Sequence, residues 1–174
     1  LNRAGTDPAA SALSAQLQSD ISALTQSVKN VESGTNFVRT AEGGLAGVSD
    51  LVNRGRELAI QSSNGTLNDS QRQSLNQEFN QIQSEIDRLT GSLQFNGRNL
   101  LDGTLGQNAD PVNIQAGAGS GPDNQISLNV VEDTSTQSLG IDGADISTTQ
   151  GALQAIDSFE QASQTLNAAR GQAG

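Results

Sequence analysis

The side chains in this chain that could do chemistry are carboxylates and a few arginines. Histidine and cysteine are absent. That removes the commonest general base, the thiolate nucleophile and the usual ligands of a transition metal. Carboxylate pairs remain as candidates for acid–base work, namely Glu85 with Asp87 and Glu132 with Asp133. Positions two apart on a helix do not share a face, so these acids read as solvated surface. Asp102, Asp110, Asp123, Asp133, Asp142 and Asp145 make the middle of the chain acidic, but they lack the ligand spacing of an EF-type calcium loop. No phosphate-cradling or dinucleotide glycine motif is present. The sequence therefore predicts no enzyme, no cofactor and no metal.

Arg54, Arg56 and Glu57 form a charged cluster beside Leu58. It reads either as an exposed helix face with local ion pairs or as a protein-contact patch, because arginine beside apolar surface is favoured at interfaces. Over the whole chain, 9 Lys plus Arg stand against 19 Asp plus Glu, a formal net charge of −10. Phosphate backbones and anionic headgroups call for positive surface, so nucleic acid and membrane are not expected partners. No apolar run approaches the ~18 residues of a membrane span.

The elements that must position these residues follow from the apolar pattern. The 174 residues suit one domain. Its core must come from Leu, Ile, Val and Ala, because Met, Trp and Tyr are absent and Phe occurs four times. Such a supply suits a long helical seam. Leu17, Leu24, Val31, Val38, Leu45, Val52 and Ala59 recur at seven-residue spacing. Their companions lie four residues on at Ile21 and Val28, then three residues on at Ala41 and Val48. The shift fits a helix that passes from one neighbour to another. Asp7-Pro8 reads as its start, and it runs to about residue 62, roughly 80 Å of helix. Gly34, Gly43, Gly44, Gly47 and Gly55 fall inside it, marking either close approach of another segment or a local break.

Asn64-Gly65 is a stop signal, and Asn68 with Gln71 reads as a capping box opening a second helix. The seam of that helix is Leu75, Phe79, Ile82, Ile86, Leu89 and Leu93. The short turn predicts that it returns antiparallel. The helical period ends near Phe95-Asn96-Gly97. In 103–147, Val112–Ile114 and Ile126–Val130 alternate as strands do, around a Gly- and Pro-bearing turn. A loose hairpin or a disordered linker fits this segment. From Ala152 to about Arg170 the pairs Ala152/Ala155, Phe159/Ala162 and Leu166/Ala169 predict a third helix. The fold expected is mainly α. It is an elongated antiparallel helical rod of two N-terminal helices and one C-terminal helix, with a small β-hairpin region. Its segments are 1–102, 103–147 and 148–174.

Taken together, these segments resemble bacterial flagellin. Leu1-Asn2-Arg3-Ala4-Gly5 with Asp7 and Ala9-Ala10 is similar to the stretch after the family's terminal helix. Thr40-Ala41-Glu42-Gly43-Gly44-Leu45 and Arg56-Glu57-Leu58-Ala59-Ile60-Gln61 resemble two of its signatures. Asn64-Gly65-Thr66, Glu85-Ile86-Asp87-Arg88, Phe95-Asn96-Gly97 and Leu100-Leu101-Asp102-Gly103 follow in the family's order. Ile114–Ala118, Leu139-Gly140-Ile141 and Leu153–Asp157 resemble its hairpin and C-terminal helix.

The resemblance implies an extracellular structural subunit of the flagellar filament, packing with other copies in the outer tube. It also implies that the terminal helices that build the inner tube are missing, so that this form is expected to be monomeric. It further implies contact with an innate-immune Toll-like receptor through Arg54, Leu58 and Glu78, with Arg56 and Gln61 nearby. Gly55 departs from the bulkier residue often found between the two arginines. A cell-surface module binding a receptor or a polysaccharide is the other reading, although no Trp or Tyr is available to stack on sugar rings.

Overall fold

The computed structural model describes residues 8–106, 109, 111–129 and 131–173. Three helices dominate: α1 (Pro8–Ser62), α2 (Asp69–Ser92) and α3 (Thr149–Ala173). Two short antiparallel hairpins complete the fold, β1 (Gln94–Phe95) with β2 (Arg98–Asn99) and β3 (Asn113–Gln115) with β4 (Gln125–Ser127). The fold is mainly α with a small antiparallel strand region, as expected. α1 runs unbroken through all five of its glycines. Asp7, the expected cap, lies outside the described residues.

The chain forms two compact units, and α1 contributes to both. The first unit comprises Leu1–Asn36 and Val112–Leu128. β3 and β4 place Ile114 opposite Ile126. Their connecting loop is closed by the Gln115 amide, which donates to the carbonyls of Gly117 and Gly119 at 2.7 and 2.5 Å. Ile114 lies against Gly34 of α1 so closely that a Cβ there would collide with its side chain. The Asn30 amide donates to the Gln115 carbonyl at 3.0 Å. β4 is shorter than the sequence suggests. Leu128 still donates to Val112 at 2.8 Å, but pairing ends there, and Val130 lies outside the described residues.

The first part of the expected seam is not covered within this unit. Leu17, Leu24 and Val31 are 53%, 54% and 37% exposed, and Ile21 and Val28 are exposed with them. The hairpin meets α1 at Asn30 and Gly34, and Ser27 is buried one turn earlier, while the apolar stripe on the other face of these turns stays in solvent.

The second unit comprises Phe37–Pro111 and Asn129–Gly174. Its core takes Ala41, Leu45, Val48, Val52 and Ala59 from α1, and Phe79, Ile82 and Ile86 from α2. α3 adds Ala152, Ala155, Phe159, Ala162, Leu166 and Ala169, alternating steps of three and four. Val38, Leu75 and Leu89 are half-buried at its margins. Gly47 of α1 faces Leu89 while Arg54 meets Glu78, so α2 runs antiparallel to α1. The capping box forms: Asn68 Oδ1 accepts the Gln71 N–H at 2.9 Å, and Gln71 Oε1 accepts the Asn68 N–H at 3.0 Å.

Residues 131–147 are no linker. Val131, Leu139, Ile141 and Ile146 are buried, and a polar row on α2 fastens the segment. Asn76 accepts the Ile146 N–H at 2.9 Å, Gln83 donates to the Ile141 carbonyl at 2.7 Å, Asp87 holds Thr136, and Thr90 donates to the Thr134 carbonyl at 3.3 Å. The β1–β2 hairpin is a feature the sequence reading did not expect. Asn96 and Gly97 adopt φ of 51° and 78°, the left-handed pair that a two-residue hairpin turn requires. The turn brings Phe95 edge-on to Phe37 at 5.6 Å.

Candidate protein-contact site

Three consecutive residues of α1 organise a charged surface of the second unit, where three ion pairs meet. Successive helix positions are rotated by about 100°, so Gly55 faces inward while Arg54 and Arg56 emerge on either side of it. Arg54 reaches α2, where its Nη2 and Nε donate to one Glu78 oxygen at 2.7 and 3.2 Å. Its third edge donates through Nη1 to Glu57 at 3.1 Å. The Glu78 hydrogen bond, then that of Glu57, holds the guanidinium above its ordinary pKa. Arg56 reaches α3, where Nη2 meets Glu160 at 2.5 Å. Its Nε is enclosed without a hydrogen-bond partner.

Beneath these pairs Gly55 opens a notch. A Cβ at this position would overlap the Phe159 ring, with Cδ1 and Cζ each only 3.0 Å away. The ring also packs against Phe79, with centroids 5.0 Å apart and a 45° tilt. Each aromatic is adjacent in sequence to an ion-pair partner: Glu78 precedes Phe79 and Glu160 follows Phe159.

The residues singled out in sequence therefore divide. Arg54 and Glu78 come together and remain half-exposed, Arg56 stands beside them, and Gln61 is exposed about two turns after Arg54. Leu58 does not join them at the surface. It is 1% exposed: one turn after Arg54 and rotated about 40° from it, towards the inward-facing Gly55, it lies beneath the patch. Sequence reasoning missed Glu160 and the Gly55–Phe159 fit. The glycine between two arginines was the available signal.

The carboxylates serve as local acceptors. Asp87 binds Thr136, whereas Glu85 pairs with Arg88 at 2.5 Å, so the two point apart as their spacing implied. Asp102 is pushed up by burial, but hydrogen bonds from Thr104 and Asn99 outweigh this and hold it below its usual range. Among the described residues, no group of three acidic side chains is placed to hold a metal ion, and no helix is long and apolar enough to cross a membrane.

Three helices packed around an aliphatic core, with a paired charged patch on the surface of the second unit, define a mainly helical protein. The model of the bacterial flagellin N-terminal helical region matches residues 1–105, and the chain belongs to the flagellin family. It is 38% identical over 161 residues to a flagellin of Halalkalibacterium halodurans, covering 92% of this chain and 57% of the relative. It is 33% identical to the flagellar filament 30.7 kDa core protein of Treponema maltophilum, covering all of this chain and 64% of that protein. The chain thus spans less than two thirds of either relative. The crystal structure of Bacillus cereus flagellin superposes with a TM-score of 0.70 at 28% identity, over 84% of this chain and 81% of that one.

Proposed function

We propose that this chain is the self-packing part of an extracellular flagellar filament subunit, which acts by helix–helix contact with other copies and not as an enzyme. The observation that carries the reading is the stripe Leu17, Ile21, Leu24, Val28 and Val31, exposed at heptad spacing on α1. Apolar residues at that spacing are the pattern by which one helix receives another. Membership of the flagellin family supports the same reading. Electron microscopy of the longer parent subunit tests it. Filaments are expected from the parent, and replacing Leu17 and Leu24 by Gln is expected to suppress them. A parent subunit that stays unpolymerised under assembly conditions would overturn the proposal.

The patch of Arg54, Arg56, Glu78 and Gln61 supports a second role, as a contact for an innate-immune Toll-like receptor. What favours it is the exposed Arg54–Glu78 pair, presented on two helices fixed by the core below. Replacing Arg54 and Glu78 by Ala is expected to lower receptor signalling while leaving helicity intact. Unchanged signalling would remove this role.

A further inference from the structure

We infer that Phe159 is a positioning residue for the contact patch, acting through the notch at Gly55 to hold Arg54 against Glu78. The inference rests on the patch being a contact surface. Its physical content is the meeting of three helices at one point. Phe159 comes from α3, fills the space left by the missing Cβ of Gly55 on α1, and packs on Phe79 of α2. Phe79 and Phe159 are both fully buried. Arg54 and Glu78 are the residues immediately before Gly55 and Phe79, so the ring that spaces the inner pair also sets the distance between the outer pair.

The pair depends on that distance. A single Glu78 oxygen accepts from both Nη2 and Nε of Arg54, so the pair reads the spacing between α1 and α2 at this level. Arg56 with Glu160 fixes the opposite side of the same notch, tying α1 to α3. A glycine and a phenylalanine at these positions form a size-matched pair, and a larger residue at 55 calls for a smaller one at 159.

The test is a size exchange in this chain: Gly55→Ala, Phe159→Leu and the two together. Gly55→Ala alone is expected to lower Tm by about 5 °C through overpacking, and the double variant to recover most of that loss. Phe159→Leu alone is expected to stay folded but to move the Arg54 Nε–H cross-peak towards that of an unpaired arginine. The double variant restores the cross-peak. Phe159→Tyr, which keeps the ring, should leave it in place. An Arg54 cross-peak unmoved by Phe159→Leu would overturn the inference and leave Phe159 as packing alone. Receptor signalling, measured on these variants and on Arg54→Ala, separates the two readings. A cross-peak that moves as expected while signalling ignores Arg54 sinks the contact role and keeps the positioning one. Signalling that needs Arg54 while the cross-peak ignores Phe159 does the reverse.

Discussion

Asp87 on α2 holds Thr136 twice, accepting its backbone N–H and its hydroxyl at 2.9 Å each. Thr136 is buried, so the carboxylate takes the place that water would otherwise fill. The contact lies in the polar row of Asn76, Gln83, Asp87 and Thr90 that fastens residues 131–147 to α2.

Removing this acceptor leaves two donors without a partner. Asp87→Ala is expected to cost about 3 kcal/mol in urea unfolding, since each unsatisfied buried group costs roughly 1–3 kcal/mol. Asp87→Asn keeps one oxygen and is expected to cost about half as much. Hydrogen exchange localises the effect: the Thr136 amide should exchange faster in both variants. An unchanged Thr136 amide would mean that the segment is held without Asp87.

This row also shows where sequence reading stops. The helices were legible because aliphatic side chains must recur at the helical period to reach a core, and Asn68 with Gln71 marked a helix start by its own chemistry. Asn76, Gln83 and Asp87 have the types of a solvated face, and only a particular loop above them makes them structural. The loop itself has no period, because it pairs with side chains and not with a ladder. Periodicity carries a second ambiguity. It placed Leu17 and Leu24 on the same stripe as Leu45 and Val52, yet the first two are exposed and the others buried. A stripe states that a face can be covered, not what covers it. The compact units also divide α1 itself after Asn36, a division that the apolar period does not mark. At the patch, Arg54 and Arg56 were legible as a pair, but the partners that fix them come from helices 24 and 104 residues away.

Arg72 organises the turn between α1 and α2. Its guanidinium, buried with no carboxylate partner among the described residues, donates to the carbonyls of Ser62, Asn64 and Leu67 at 2.7, 2.9 and 2.7 Å. Hydrogen bonds to a charged group contribute about 1.5–3 kcal/mol each, less the cost of burying the charge. Arg72→Met is expected to destabilise by about 3 kcal/mol, with faster exchange confined first to residues 63–68. Arg72→Lys keeps the charge but cannot span the three acceptors with a planar fork, so it is expected to recover less than half of the loss. Full recovery by lysine would show that charge, not geometry, closes the turn.

Acid should loosen the start of α3. Asp145 accepts the hydroxyl and backbone N–H of Ser147, and these outweigh burial to hold its carboxyl below the usual range, with the Asn76 amide adding to them. Asp102 shifts in the same direction. A depressed folded pKa means that the charged form is favoured by folding. Its contribution is therefore present at neutral pH and is lost as pH falls below the ordinary carboxylate value of about 4 towards the lower folded value. Tm is expected to stay level down to about pH 5 and then fall. Asp145→Asn should lower Tm at neutral pH and make the acid fall shallower. An equal fall in both proteins would assign the acid sensitivity elsewhere.

Gly43 and Gly44 are neighbours in α1 and should respond to the same substitution with opposite signs. Helix interiors favour alanine over glycine by about 1 kcal/mol where space allows. Nothing lies within 4 Å of a Cβ built on Gly43, so Gly43→Ala is expected to raise stability by up to about 1 kcal/mol. A Cβ on Gly44 would collide with Leu93 and come within 2.9 Å of Leu101 Cδ1, and Leu101 is fully buried. There the propensity gain is outweighed by overpacking, which costs roughly 1–3 kcal/mol, so Gly44→Ala should lower stability. Paired urea titrations read both signs. If both alanines stabilise, Leu93 and Leu101 yield to a methyl group, and the segment after α2 is not held against α1 by the missing side chain of Gly44.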